Sequence, residues 1–171
     1  PLRSIEPRLG PRPSYLEWSG AGKYEAWRDQ GAMAQGDRRV HTILYGFGEK
    51  DFYFRIEGKA PLGEEISIDF NQPVHGKVRA VCNDDHCSVE VSRAQDGIHF
   101  QPVSCEAEVT GERGLQMRIP FASLGWRKDG AEVSCHVRVV RGGVEAERYP
   151  ERGLIEFAGP NQTHDMKNWF V

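Results

Sequence analysis

The stretch Val133-Ser134-Cys135-His136-Val137-Arg138-Val139 alternates apolar and polar side chains. A period of two places every second side chain on one face of a sheet, so Val133, Cys135, Val137 and Val139 share one face and Ser134, His136 and Arg138 the other. This is the pattern of a half-buried antiparallel strand. The same reading applies to Phe52-Tyr53-Phe54-Arg55-Ile56-Glu57 and to Ile66-Ser67-Ile68-Asp69-Phe70. Such stretches recur about nine times along the chain.

Between the strands stand Gly58, Pro61-Leu62-Gly63, Asn71-Gln72-Pro73, Asn83-Asp84-Asp85-His86, Asp96-Gly97, Gly111 and Gly142-Gly143. They supply turn chemistry at spacings of roughly 8 to 12 residues, the rhythm of a sandwich or barrel. A parallel α/β sheet would need helical crossovers. Two stretches only have helical character: Tyr24 to Met33, and one turn at Phe121-Ala122-Ser123-Leu124-Gly125. The expected fold is all-β, an antiparallel β-sandwich of jelly-roll or immunoglobulin-like kind with about nine strands. One domain is expected over 14–171. Residues 1–13, with four prolines, cannot pair as a central strand and are read as a linker or extended N-terminal segment.

Composition narrows the function. At 171 residues the chain is long enough for one substantial core and short for two. A net charge of −3 provides no electrostatic driver toward a phosphate backbone, which argues against nucleic acid as a partner. No apolar run approaches the roughly 20 residues of a membrane helix, which argues against a membrane. Pro1-Leu2-Arg3-Ser4 lacks an initiator Met and an apolar signal core, as in an excised or processed chain. Four cysteines in strand-like surroundings suggest a reducing compartment, the cytoplasm, as the default.

Candidate chemistry is sparse. Asp84-Asp85 and Glu64-Glu65 read as solvated surface charge, and no catalytic pair is identified. Cys82-Asn83-Asp84-Asp85-His86-Cys87 holds zinc-type donors, but it is a single cluster. Its sulfurs are open to three readings: buried thiols, a disulfide across a four-residue hairpin, or metal. The six histidines show no metalloprotease spacing, and Gly20-Ala21-Gly22 lacks the rest of a phosphate loop. No metal or cofactor is expected. The aromatic residues are more informative. Tyr15, Trp18, Tyr24 and Trp27 fall within 13 residues, and flat rings with polar edges suit sugar stacking or a domain interface. They also suit an end cap on the core.

The run Glu17-Trp18-Ser19-Gly20-Ala21-Gly22-Lys23-Tyr24, with Gly31-Ala32-Met33, Ile43-Leu44-Tyr45-Gly46-Phe47-Gly48 and Phe52-Tyr53-Phe54-Arg55-Ile56, resembles the region after the catalytic barrel in glycoside hydrolase family 57. Tyr149-Pro150, Gly153-Leu154-Ile155-Glu156 and Asn168-Trp169-Phe170-Val171 resemble the close of those proteins. Ala34 stands where that pattern has histidine. Separately, Met117-Arg118-Ile119-Pro120-Phe121-Ala122-Ser123-Leu124-Gly125 is similar to a step in family 9 carbohydrate-binding modules and their DOMON-like relatives, which are β-sandwiches.

The resemblance implies a non-catalytic C-terminal accessory domain of an α-glucan-active enzyme, packed on the enzyme's catalytic barrel. The catalytic residues would belong to that barrel. A second reading is an α-glucan-binding module in which Tyr15, Trp18, Tyr24 and Trp27 stack on sugar while Glu17 and Asp29 accept hydroxyl hydrogen bonds. In the first reading the same six residues would form the interdomain contact. A third is a DOMON-like haem or redox sandwich with Met33, Met117 or a histidine as axial ligand.

Overall fold

The computed structural model describes residues 1, 3–10, 14–29, 38–60, 62, 65–83, 86–111 and 114–161, with backbone alone at 27, 29 and 83. Among the described residues there are twelve strands: β1 (Gly22–Glu25), β2 (Val40–Phe47), β3 (Asp51–Gly58), β4 (Glu65–Gln72), β5 (Gly76–Asn83), β6 (His86–Ala94), β7 (Phe100–Val103), β8 (Glu108–Thr110), β9 (Leu115–Pro120), β10 (Glu132–Arg141), β11 (Val144–Tyr149) and β12 (Ile155–Ala158). Every pairing between them is antiparallel. The count exceeds the expected nine because β1, β7, β8 and β12 have only three or four residues. Pieces that short hold too few side chains to display a period.

The strands form two sheets packed as a sandwich. One has the order β1-β2-β3-β9-β8, and the other β11-β10-β4-β5-β6-β7 with β12 pairing to β10. Register turns one face of each sheet inward: Phe54 lies opposite Met117, and Cys135 opposite Phe70. These four, with Ile56, Ile68, Val78 and Val137, belong to one closed core. Rings close one end, where Trp126 meets Phe70 edge-on at 4.9 Å and Phe52 at 5.3 Å.

One turn of helix, α1 (Phe121–Leu124), follows β9 as expected. It stops at Gly125, whose φ of 72° is one that glycine adopts without a Cβ clash. The other helical expectation is corrected. Tyr24 lies in β1, paired with Ile43 of β2, and only Ala26–Asp29 coils, as a 3₁₀ turn. Residues 30–33 of that stretch lie outside the described residues.

The N-terminal segment is extended and docked. The backbone N–H of Ile5 donates to the Phe47 carbonyl at 2.8 Å, and the Gln116 side-chain amide donates to the Gly10 carbonyl at 3.0 Å. Residues 3–10 therefore cross the outer face of the five-stranded sheet from β2 to β9. This explains a departure in β3. Tyr53 was expected on a polar, solvated face, yet it is buried with Ile5 and Trp18 in a second, smaller apolar cluster.

Candidate functional site

A 3₁₀ turn, Leu16–Trp18, is built by short-range bonds, the N–H groups of Glu17, Trp18 and Ser19 donating to the carbonyls of Ser14, Tyr15 and Leu16, each at 3.2 Å. The turn points its residues in opposite directions. Trp18 is 3% exposed, packed on Ile5 and Tyr53 beneath the Arg55 guanidinium at 5.8 Å. Tyr15 and Leu16 are 83% and 77% exposed. A fully buried indole is thus a root, and the phenol and isobutyl groups are what it presents. Buried in this way, Trp18 offers no ring face to a sugar. Glu17 is half-buried beside it.

Tyr24 is half-buried against the main core and meets Tyr149 edge-on at 6.4 Å. It bridges β1 and β11, which are edge strands of the two sheets. Lys23, Tyr24, Glu25 and Arg28 line a surface groove of about 460 Å³. Lys23 Nζ and Arg28 Nε hold Glu25 at 2.7 and 2.5 Å, and the hydrogen bond from Lys23 leads the effects that lower its pKa. The side chains of Trp27 and Asp29 lie outside the described residues.

Two polar clusters escaped the sequence reading. Glu147 is buried, and it accepts from the Tyr149 hydroxyl, from Arg141 at 2.5 Å and from the backbone N–H groups of Arg39 and Val40 at 3.1 and 3.3 Å. Burial pushes its carboxyl up, but these donors outweigh that and hold it below the ordinary carboxylate range. Burial chiefly, and then the bond to Glu147, raises the Tyr149 phenol. The signal in sequence was the spacing of Glu147 and Tyr149, two apart on one face of a strand whose tyrosine is apolar enough to turn inward.

On the outer face of the seven-stranded sheet, Asp69 accepts from Arg138 Nε at 2.8 Å, with Lys77 at 3.5 Å and His136 at 3.7 Å. Burial lowers the His136 pKa, with Asp69 opposing. These carboxylates are each engaged by cations.

Cys82 and Cys87, opposite each other across β5 and β6, form a disulfide. Of the three readings of these sulfurs, the hairpin disulfide is the one realised, and two bonded sulfurs are not thiolate ligands for a metal. A disulfide persists in oxidising surroundings, so this pair does not support the default of a reducing compartment. Cys105 and Cys135 are free, and burial pushes the Cys135 thiol up to about 12. Among the described residues no group of three or more His, Cys, Asp or Glu could hold a metal ion, and no helix is long and apolar enough to cross a membrane. Met117 is fully buried in the main core, committed to packing. Met33 lies outside the described residues.

Known proteins add no identity. The chain matches no family model, no curated protein and no solved structure.

Proposed function

We propose that this chain is a non-catalytic accessory β-sandwich of an α-glucan-active glycoside hydrolase family 57 enzyme, docking on the enzyme's catalytic barrel through Tyr15 and Leu16. The observation that carries the reading is the contrast within one 3₁₀ turn. Trp18 is 3% exposed while its neighbours Tyr15 and Leu16 are 83% and 77% exposed. Two large apolar groups held outward by a buried anchor cost little ordering entropy on association, which is how interface hot spots are built. Family 57 comes from the resemblance around Glu17-Trp18-Ser19-Gly20-Ala21-Gly22, the same segment that carries this turn.

Sedimentation of the full chain with a family 57 catalytic barrel tests the reading. Association is expected, and Tyr15→Ser with Leu16→Ser is expected to weaken it at least about tenfold, as for loss of a hot-spot pair. Absence of association of the unmodified chain at about 100 μM, well above a functional Kd, would overturn it.

The groove at Lys23, Tyr24, Glu25 and Arg28 favours a second reading, α-glucan binding. Its volume of about 460 Å³ falls in the range of small-ligand sites, and it combines one aromatic face with charged hydrogen-bonding groups. Calorimetry with maltooligosaccharides separates the two. Heat abolished by Tyr24→Ala supports the glucan reading, and no heat at millimolar sugar sinks it.

A further inference from the structure

We infer that the outer face of the five-stranded sheet is a groove for an extended peptide, filled here by the chain's own Arg3–Gly10 and able to take the same segment from a second copy. Three features of the seat support this.

Its shape is cut for one branched side chain. A Cβ on Gly46 would stand 2.5 Å from Ile5 Cδ1, so the absence of a side chain there makes the notch in which Ile5 sits. Its polar contacts involve both side chains and backbone: Arg3 donates to the Ser19 hydroxyl, Ser4 to the Phe47 carbonyl, and Glu6 accepts from the Glu49 N–H. The carbonyl of Phe47 accepts the Ile5 N–H, and the amide of Gln116 donates to the Gly10 carbonyl. Pro7, within this segment, favours the extended backbone that such contacts need.

Its floor is left unsatisfied. Trp18 Nε1, Gln116 Oε1 and Arg55 Nε are buried and have no hydrogen-bond partner, and Arg55 faces Gln116 directly across β3 and β9. Gln116 is 2% exposed and Trp18 3%. Buried polar groups left without a partner beneath the segment oppose its seating. Its departure would break no sheet ladder, since none of residues 3–10 belongs to a strand. The groove thus fits this segment and holds it incompletely, the condition under which a copy supplied by another molecule can exchange with it.

The probe is a synthetic peptide of residues 1–13, added to the full chain carrying Ile5→Ser, which empties the notch. Binding is expected by NMR titration, with shifts at the Phe47 and Gln116 resonances. The unmodified chain should bind it at least about tenfold more weakly, because its tethered segment competes at high effective concentration. An Ile5→Ser peptide should not bind. No shifts at about 5 mM peptide, a concentration comparable to that of the tethered segment, or equal binding of a scrambled peptide, would overturn the inference. If Ile5→Ser does not fold, hydrogen exchange of the unmodified chain decides. The Ile5 amide is expected to exchange at least about 100-fold faster than that of Phe54, by local release of the segment, and equal protection overturns the inference.

Discussion

Glu147 shows how one residue can join two sheets. It lies on β11 of the seven-stranded sheet, and two of its donors, the N–H groups of Arg39 and Val40, lead into β2 of the other. Removing a buried, fully engaged carboxylate strands its partners, so Glu147→Ala is expected to lower stability by about 3 kcal/mol or more in urea unfolding. The pH dependence has a definite sign. The carboxyl is held below its ordinary range when folded, so its contribution is present above the unfolded pKa of about 4.3 and is lost as pH falls through the folded value. Acid titration of stability should therefore show a drop below about pH 4 that is smaller in Glu147→Ala. Only the spacing of Glu147 and Tyr149 hinted at this residue, because Val144-Glu145-Ala146-Glu147-Arg148-Tyr149 otherwise reads as a polar edge strand until the chain at Arg39 is known to pass over it. The burial of Trp18 was hidden for a related reason. The residue covering it, Ile5, comes from a proline-bearing segment with no period of its own. One sign was available: Phe52, Tyr53 and Phe54 are apolar in succession, which means that both faces of β3 are covered.

Among elements, the β5–β6 hairpin and α1 lend themselves to separate tests. Cys82 and Cys87 close a loop of sequence separation 5, and loop-closure entropy for so short a ring gives about 2 kcal/mol. Replacing both by Ser should lower the unfolding free energy by that amount and leave the far-UV spectrum unchanged, since the hairpin retains its pairing from Gly76↔Arg93 to Asn83↔His86. Gly125 ends α1 at a φ of 72°, so Gly125→Ala is expected to cost about 1 kcal/mol by thermal unfolding. Elements such as β4 and β10 were plain in the sequence because one face of each is apolar over most of its length, Ile66, Ile68 and Phe70 in the first and Val133, Cys135, Val137 and Val139 in the second. β1 was not. Its four residues pair only with β2, and the partner, not the segment, decides that Tyr24 is in a strand.

At the scale of the molecule, sandwich architecture follows from one physical demand: two sheets, each with an apolar face, must cover one another. Its consequence for function is that the interior is packed and recognition is left to the surface. The five-stranded sheet has its outer face crossed by residues 3–10, while that of the seven-stranded sheet carries the ion-paired cluster at Asp69 and Arg138. Tyr15 and Leu16 stand apart from both as exposed apolar neighbours on a braced turn. The proposed docking therefore predicts where a partner lands as well as that it binds. Hydroxyl-radical footprinting of the chain mixed with a family 57 catalytic barrel tests this most directly. Strong protection of Tyr15 and Leu16, with the Asp69 face left reactive, is the predicted result; a complex that leaves Tyr15 and Leu16 as reactive as in the free chain would contradict it.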